Sequence, residues 1–196
     1  MGTVEQAVRE AAFAILRRGE KAAPALIAAR AGLGQGEVQA ALGSLLAAGQ
    51  VEVDADGGVV GAAGLTLLAT RHRLVLGGVA LHTWCAIDAV GIPAALGQDA
   101  EVRTSCPHCG RELAIRFLAG RLVADPGFIA WLPTDPCTNV REELCPRANL
   151  FCDAAHLDAW RAAWAEPQEE ALSLPEVEAR GRRWWGIFNE QQGGEQ

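Results

Sequence analysis

Apolar residues recur at helical spacing through the first 60 positions and at shorter, strand-like spacing after that. Val4, Ala7, Val8, Ala11, Ala12, Ile15 and Leu16 make one broad face, which predicts a helix over residues 3–16 that stops at Gly19. A second helix is expected over residues 22–30, with Pro24 tolerated in its first turn. Gly32, Gly34 and Gly36 interrupt, and Val38, Ala41, Leu42, Leu45 and Leu46 then mark a third helix that ends before Gly49. Val51 and Val53 face Val59 and Val60 across Asp56-Gly57-Gly58, a hairpin pattern. Three helices and a hairpin make a winged-helix-like unit over residues 1–62.

A boundary falls near Gly61 to Gly64, and a second unit is expected over residues 63–196. Strands are predicted over 65–69, 73–76 and 79–82, with Gly77-Gly78 turning between the last two. A helix follows from about Trp84 to before Gly97, shortened or kinked by Pro93. Strand character returns over 101–104, 112–118, 121–124 and 128–132, with Ala119-Gly120 as a turn. The tail reverts to helix over 155–164, broken before Pro167. Ser173 and Glu176 then form a capping box with Pro175 in the first turn. Trp184, Trp185 and Phe188 are expected to dock this last helix, and residues 191–196 to fray. Helices first and short strands later argue an α+β fold, with a mixed-sheet core and C-terminal helices.

Composition narrows the function. The chain has 196 residues, half of them hydrophobic and 21% charged, so it can bury a substantial core. A net charge of -7 argues against nucleic acid or an anionic membrane as partner. Residues 1–60 carry five basic and seven acidic side chains, and the third helix offers Glu37 and Gln39 but no lysine or arginine. Phosphate contacts that anchor DNA binders are missing from that face. No signal-peptide pattern and no apolar run near ~20 residues is present, so a cytoplasmic location with reduced thiols is expected.

Six cysteines carry the candidate chemistry, all beyond residue 60. Cys85 and Asp88, in TWCAIDAV, stand three positions apart, one face of a helix. A thiolate is a nucleophile and soft-metal ligand, and a carboxylate beside it can take up or return a proton. The same carboxylate raises the thiol pKa, while a helix N-terminus favours the thiolate. Cys106-Pro-His-Cys109-Gly110 has the shape of half a tetrahedral zinc site. Its completion would fall to two of Cys137, Cys145, Cys152, His108 and His156; a redox dithiol and plain reduced thiols are the other readings. Cys137, Cys145 and Cys152 follow, with Arg141 and Arg147 as sources of positive potential. Either Cys145 or Cys152 could meet Cys85 through the fold, and linear spacing does not choose.

The chain resembles the organomercurial lyases, also called alkylmercury lyases. Residues 64–97, GLTLLATRHRLVLGGVALHTWCAIDAVGIPAALG, look like that family's stretch with its first catalytic cysteine and its aspartate, which fall on Cys85 and Asp88. Residues 139–151, NVREELCPRANLF, look like the later stretch that ends in a second catalytic cysteine and an aromatic pair. Cys145 matches that cysteine, and Leu150-Phe151 takes the place of the pair. Where the family commonly has histidines between them, this chain has Pro146, Arg147, Ala148 and Asn149.

The resemblance implies a winged-helix-like N-terminal part, an α+β catalytic core and protonolysis of a carbon–mercury bond. Cys85 and Cys145 would hold the mercury of an organomercurial, and Asp88 would carry the proton to the departing carbon. Hg(II) would stay on the two sulfurs until small thiols or a mercuric reductase removed it, with no organic cofactor required. Trp84 and Phe151 are candidate substrate contacts, and Cys106 and Cys109 candidate structural zinc ligands. The alternatives are a zinc- or soft-metal-binding regulator or chaperone on this scaffold, and a lyase-like enzyme with a different substrate.

Overall fold

The computed structural model describes residues 2–162 and 169–189. Three helices open the chain: α1 (Thr3–Leu16), α2 (Pro24–Ala31) and α3 (Gln35–Ala47). Glu5 and Glu37 each fold back onto the backbone N–H of the glycine before the helix, which satisfies an otherwise orphaned donor. Gly32, at φ +67°, ends α2 in the left-handed conformation. The hairpin follows as β1 (Val51–Val53) and β2 (Val59–Ala62).

The hairpin does not stop at itself. β2 pairs with β3 (Leu65–Thr66), which pairs with β5 (Val79–Thr83), so the hairpin is continuous with the sheet of the second half. With β4 (Arg73–Leu76), β6 (Ala100–Ser105), β7 (Glu112–Leu118) and β8 (Arg121–Leu122), it forms an eight-stranded sheet in the order β1-β2-β3-β5-β4-β6-β7-β8. A second sheet, in the order β10-β9-β11, joins β9 (Ile129–Pro133), β10 (Asn149–Phe151) and β11 (Glu169–Ser173). The α+β class holds. Where a mixed sheet was expected, the pairings among the described residues are antiparallel throughout.

Helix α4 (Ala86–Leu96) is buried on all sides, so its apolar residues show no amphipathic stripe. Pro93 sits inside it without ending it. Helix α6 (Leu174–Trp184) crosses α4 closely because glycines meet there: a Cβ on Gly181 would lie 2.3 Å from the Gly91 Cα. Trp185 then donates from Nε1 to the Ala63 carbonyl at 2.7 Å, and Phe13 stacks on Phe188 at 4.5 Å. These contacts dock the C-terminal residues onto both halves of the chain. α5 (Ala154–Arg161) is the helix expected over 155–164; residues 163 and 164, Pro167 and the terminal stretch 191–196 lie outside the described residues.

Candidate active site

Cys85 is the N-cap of α4, in extended backbone, and its N–H donates to Asp88 Oδ2 at 2.8 Å. The three-residue spacing therefore works as a capping interaction: the helix start that fixes Cys85 also turns the Asp88 carboxylate toward it. Gly64 allows the opposite wall to come close. Its φ is +94°, and a Cβ there would lie 2.5 Å from Asp88 Oδ1.

Cys145 arrives from a different element. Residues Val140–Leu144 form a π-helical turn started by Asn139, whose side chain accepts from the N–H groups of Arg141 and Glu142, both at 3.1 Å. The Cys145 N–H closes it on the Val140 carbonyl at 2.9 Å. Beyond the cysteine, buried Asn149 donates to the carbonyls of Pro146 and Arg147 at 3.0 and 3.1 Å, and accepts from Arg71. Cys85, Asp88 and Cys145 thus converge, with their sulfur and oxygen atoms all within 4.8 Å of one another. Their exposures are 1%, 7% and 6%.

Burial sets the electrostatics. It pushes the Cys85 thiol well above its ordinary range, helped by its hydrogen bond to Cys145 and by the Asp88 charge. It also lifts the Asp88 carboxyl from 3.8 to about 6, against the lowering effect of its hydrogen bonds with Cys85 and of the Arg141 charge. The site therefore favours a neutral Cys85 thiol beside a carboxyl that exchanges its proton near neutrality.

A match to the alkylmercury lyase family model covers residues 65–186, more than half of the chain and the whole of this constellation. The chain belongs to the alkylmercury lyase family. It is 29% identical over 131 residues to an alkylmercury lyase of Staphylococcus epidermidis, a match covering 63% of this chain and 60% of that protein. It is 31% identical over 144 residues to one of Streptomyces lividans, covering 69% and 62%. The matched stretch thus spans about three fifths of these curated relatives. Among solved structures, the mercury-bound form of MerB2 superposes with a TM-score of 0.86 over 96% of this chain and 92% of that one, at 21% identity, a likeness of fold.

In this member of the alkylmercury lyase family, Cys85 and Asp88 open onto a cavity of about 490 Å³. Trp84, Leu132 and Trp185 supply apolar walls, and Val140 and Leu144 bring the turn that carries Cys145. Glu52, from β1, accepts from Trp84 Nε1 at 2.5 Å and pairs with Arg141 at 2.5 Å, while the Arg141 guanidinium lies 5.0 Å from the Trp84 ring. Phe151, the other expected substrate contact, is away from the cavity lining; its ring packs on Trp160 at 5.3 Å. Motif reading passed over Glu52, Gly64 and Arg71, because their roles depend on contacts distant in sequence.

The remaining cysteines divide cleanly. Cys106, Cys109, Cys152 and His156 form a separate cluster, which leaves Cys85 and Cys145 outside it. Burial opposes ionisation of Cys106, but N–H groups of Cys109, Cys152 and His108 hydrogen-bond to its sulfur and bring the thiol down to about 7. Cys137 joins neither group among the described residues; burial and the Glu143 charge raise its thiol.

Proposed function

We propose that this protein cleaves carbon–mercury bonds by protonolysis, with Cys85 and Cys145 as the mercury-binding thiols and Asp88 as the proton carrier. The observation that carries the reading is the buried meeting of these three side chains, two of which, Cys85 and Asp88, line a largely apolar cavity. Mercury is soft and prefers two sulfur ligands, while the carbon it leaves needs a proton as its bond breaks.

The steps balance in atoms and charge. The organomercury cation binds Cys85 sulfur as that thiol's proton passes to ionised Asp88. Asp88 then gives this proton to the carbon, and the hydrocarbon R–H departs as the carbon–mercury bond breaks. Cys145 supplies the second sulfur, and its proton returns to Asp88 and from there to solvent. Hg(II) ends on the two sulfurs, to be removed by small thiols or a mercuric reductase. A carboxyl near 6 suits both halves of this cycle, since it accepts and releases a proton at small cost. The sequence balances without an organic cofactor.

Trp84 serves here as an apolar wall held by Glu52. Residues 1–62 act as a winged-helix-like unit that covers the cavity, and residues 63–196 as the catalytic unit. Gln50 and Arg9 from the first unit line the cavity, and Gln50 accepts from Arg9 at 2.7 Å, which supports the covering role.

The test is incubation of the purified, reduced protein with an organomercurial and excess thiol, measuring R–H and Hg(II) together. Both products are expected, and both are expected to vanish in Cys85→Ser and Cys145→Ser. Mercury binding without release of R–H by the unaltered chain overturns the reading.

A further inference from the structure

The second sulfur cluster has the dimensions of a metal site. Cys109 and Cys152 Sγ atoms stand 3.6 Å apart, Cys106 Sγ lies 3.9 Å from His156 Nδ1, and all four ligand atoms fall within 4.8 Å of one another. A zinc tetrahedron with Zn–S near 2.3 Å and Zn–N near 2.0 Å has sulfur–sulfur edges of about 3.8 Å and sulfur–nitrogen edges of about 3.5 Å. The two edges in this structure, 3.6 and 3.9 Å, fall within about 0.4 Å of these. A disulfide would bring its sulfurs to about 2.05 Å, so Cys109 and Cys152 are an open pair.

The backbone around the cluster is built to aim these atoms. The Cys106 N–H donates to the Arg111 carbonyl, and the Gly110 N–H to the Cys106 carbonyl, each at 2.9 Å; Gly110 takes φ +75°. This tight knuckle between β6 and β7 turns both of its sulfurs to one side. Across from it, Asp153 caps α5 by accepting from the His156 N–H at 2.9 Å, which places the imidazole in the first helical turn. His108 is left out of the ligand set and stacks on the His156 ring at 4.9 Å.

We propose that Cys106, Cys109, Cys152 and His156 bind one Zn²⁺ as a closed, structural site. Three thiolates and an imidazole fill the tetrahedron and leave no position for water or substrate, so the ion's work is mechanical. It fastens the β6–β7 knuckle of the large sheet to the junction of β10 and α5, beside the small sheet. Only residues 146–148 separate Cys145 from β10, so the same clamp fixes the strand into which the Cys145 turn runs. The site stands independently of the carbon–mercury reading, since it shares no residue with it.

Cobalt(II) titration of the reduced, metal-stripped full chain tests this, because tetrahedral cobalt–thiolate sites absorb strongly in the visible. The expected result is a tetrahedral spectrum that saturates at one ion per chain and is bleached by zinc. It should persist in the Cys85→Ser/Cys145→Ser double variant. It should weaken more than about 100-fold in affinity in Cys109→Ser and in His156→Ala, beyond the loss typical of outer-shell changes. Zinc should also raise the unfolding temperature of the stripped chain. Absence of a tetrahedral spectrum overturns the proposal, as does one that disappears with Cys85 and Cys145 but survives Cys109→Ser.

Discussion

Asp88→Asn is expected to make the protein more stable and inactive at once. In the folded chain the carboxyl is lifted from 3.8 to about 6 because burial penalises its charge. The native state therefore holds this proton more tightly than the unfolded state, and stability falls as pH rises from about 4 through 6. At about 1.4 kcal/mol per pH unit, the ionised carboxylate costs about 3 kcal/mol at pH 8 and about 1 kcal/mol at pH 4.5. Asparagine keeps an oxygen to accept the Cys85 N–H but carries no charge to bury. Urea unfolding should show the variant ahead by about 3 kcal/mol at pH 8, with most of that advantage gone at pH 4.5. Release of R–H should be lost, with mercury binding partly retained. An advantage that stayed constant with pH, or a variant less stable at pH 8, would refute the account of Asp88 as a buried charge held for chemistry.

Arg141→Ala removes a positive charge that lowers the Asp88 carboxyl, so the pH dependence of R–H release should move upward; an unmoved profile argues against that coupling. Glu52→Gln should leave Arg141 without its ion-pair partner and loosen Trp84, and slower R–H release with little change in unfolding temperature would mark it as a positioning residue. Gly64→Ala combines an unfavourable φ of +94° with a Cβ that would lie 2.5 Å from Asp88 Oδ1, and chemical unfolding should show a loss of about 2 kcal/mol or more. Gly181→Ala should cost at least as much by forcing α6 from α4, since the new Cβ would meet backbone that cannot rotate away.

The helices were legible because each carries its own local signals. Glu5, Glu37 and Glu176 mark helix starts by folding back onto the backbone, and Gly32 marks a stop. Strand existence could be read where alternation was strong, as in β7, whose residues alternate exposed and buried along its whole length. β10 and β11 escaped. β10 is a three-residue stretch buried throughout, so it shows no alternation, and β11 is defined by its pairing with β9 rather than by its own pattern. The Cys85–Asp88 spacing could be read as one helical face, but its meaning as a cap required the extended backbone of Cys85. Partner choice for the sulfurs was a matter of topology. Cys145 comes 60 positions after Cys85, and only the π-helical turn and the pairing of β10 with β9 decide that it, and not Cys152, faces Asp88.

That division has a chemical consequence. A soft electrophile introduced to six thiols could be captured anywhere, and a lyase needs capture where the proton is. Cys85 and Cys145 are buried beside Asp88, and Cys85 and Asp88 line an apolar cavity, whereas Cys109, in the other cluster, is exposed. If Zn²⁺ occupies that cluster, three of the four competing sulfurs are already bonded to metal, and the exposed one cannot divert an organomercurial without displacing an ion held by four ligands. Zinc would then serve selectivity as well as shape. The metal-stripped chain should bind more than one equivalent of organomercury while releasing R–H at a lower rate per mercury bound, and zinc addition should restore a ratio near one. Mass spectrometry of the intact adducts beside R–H measurement checks this. Equal adduct counts with and without zinc would show that the second cluster takes no part in guarding the first.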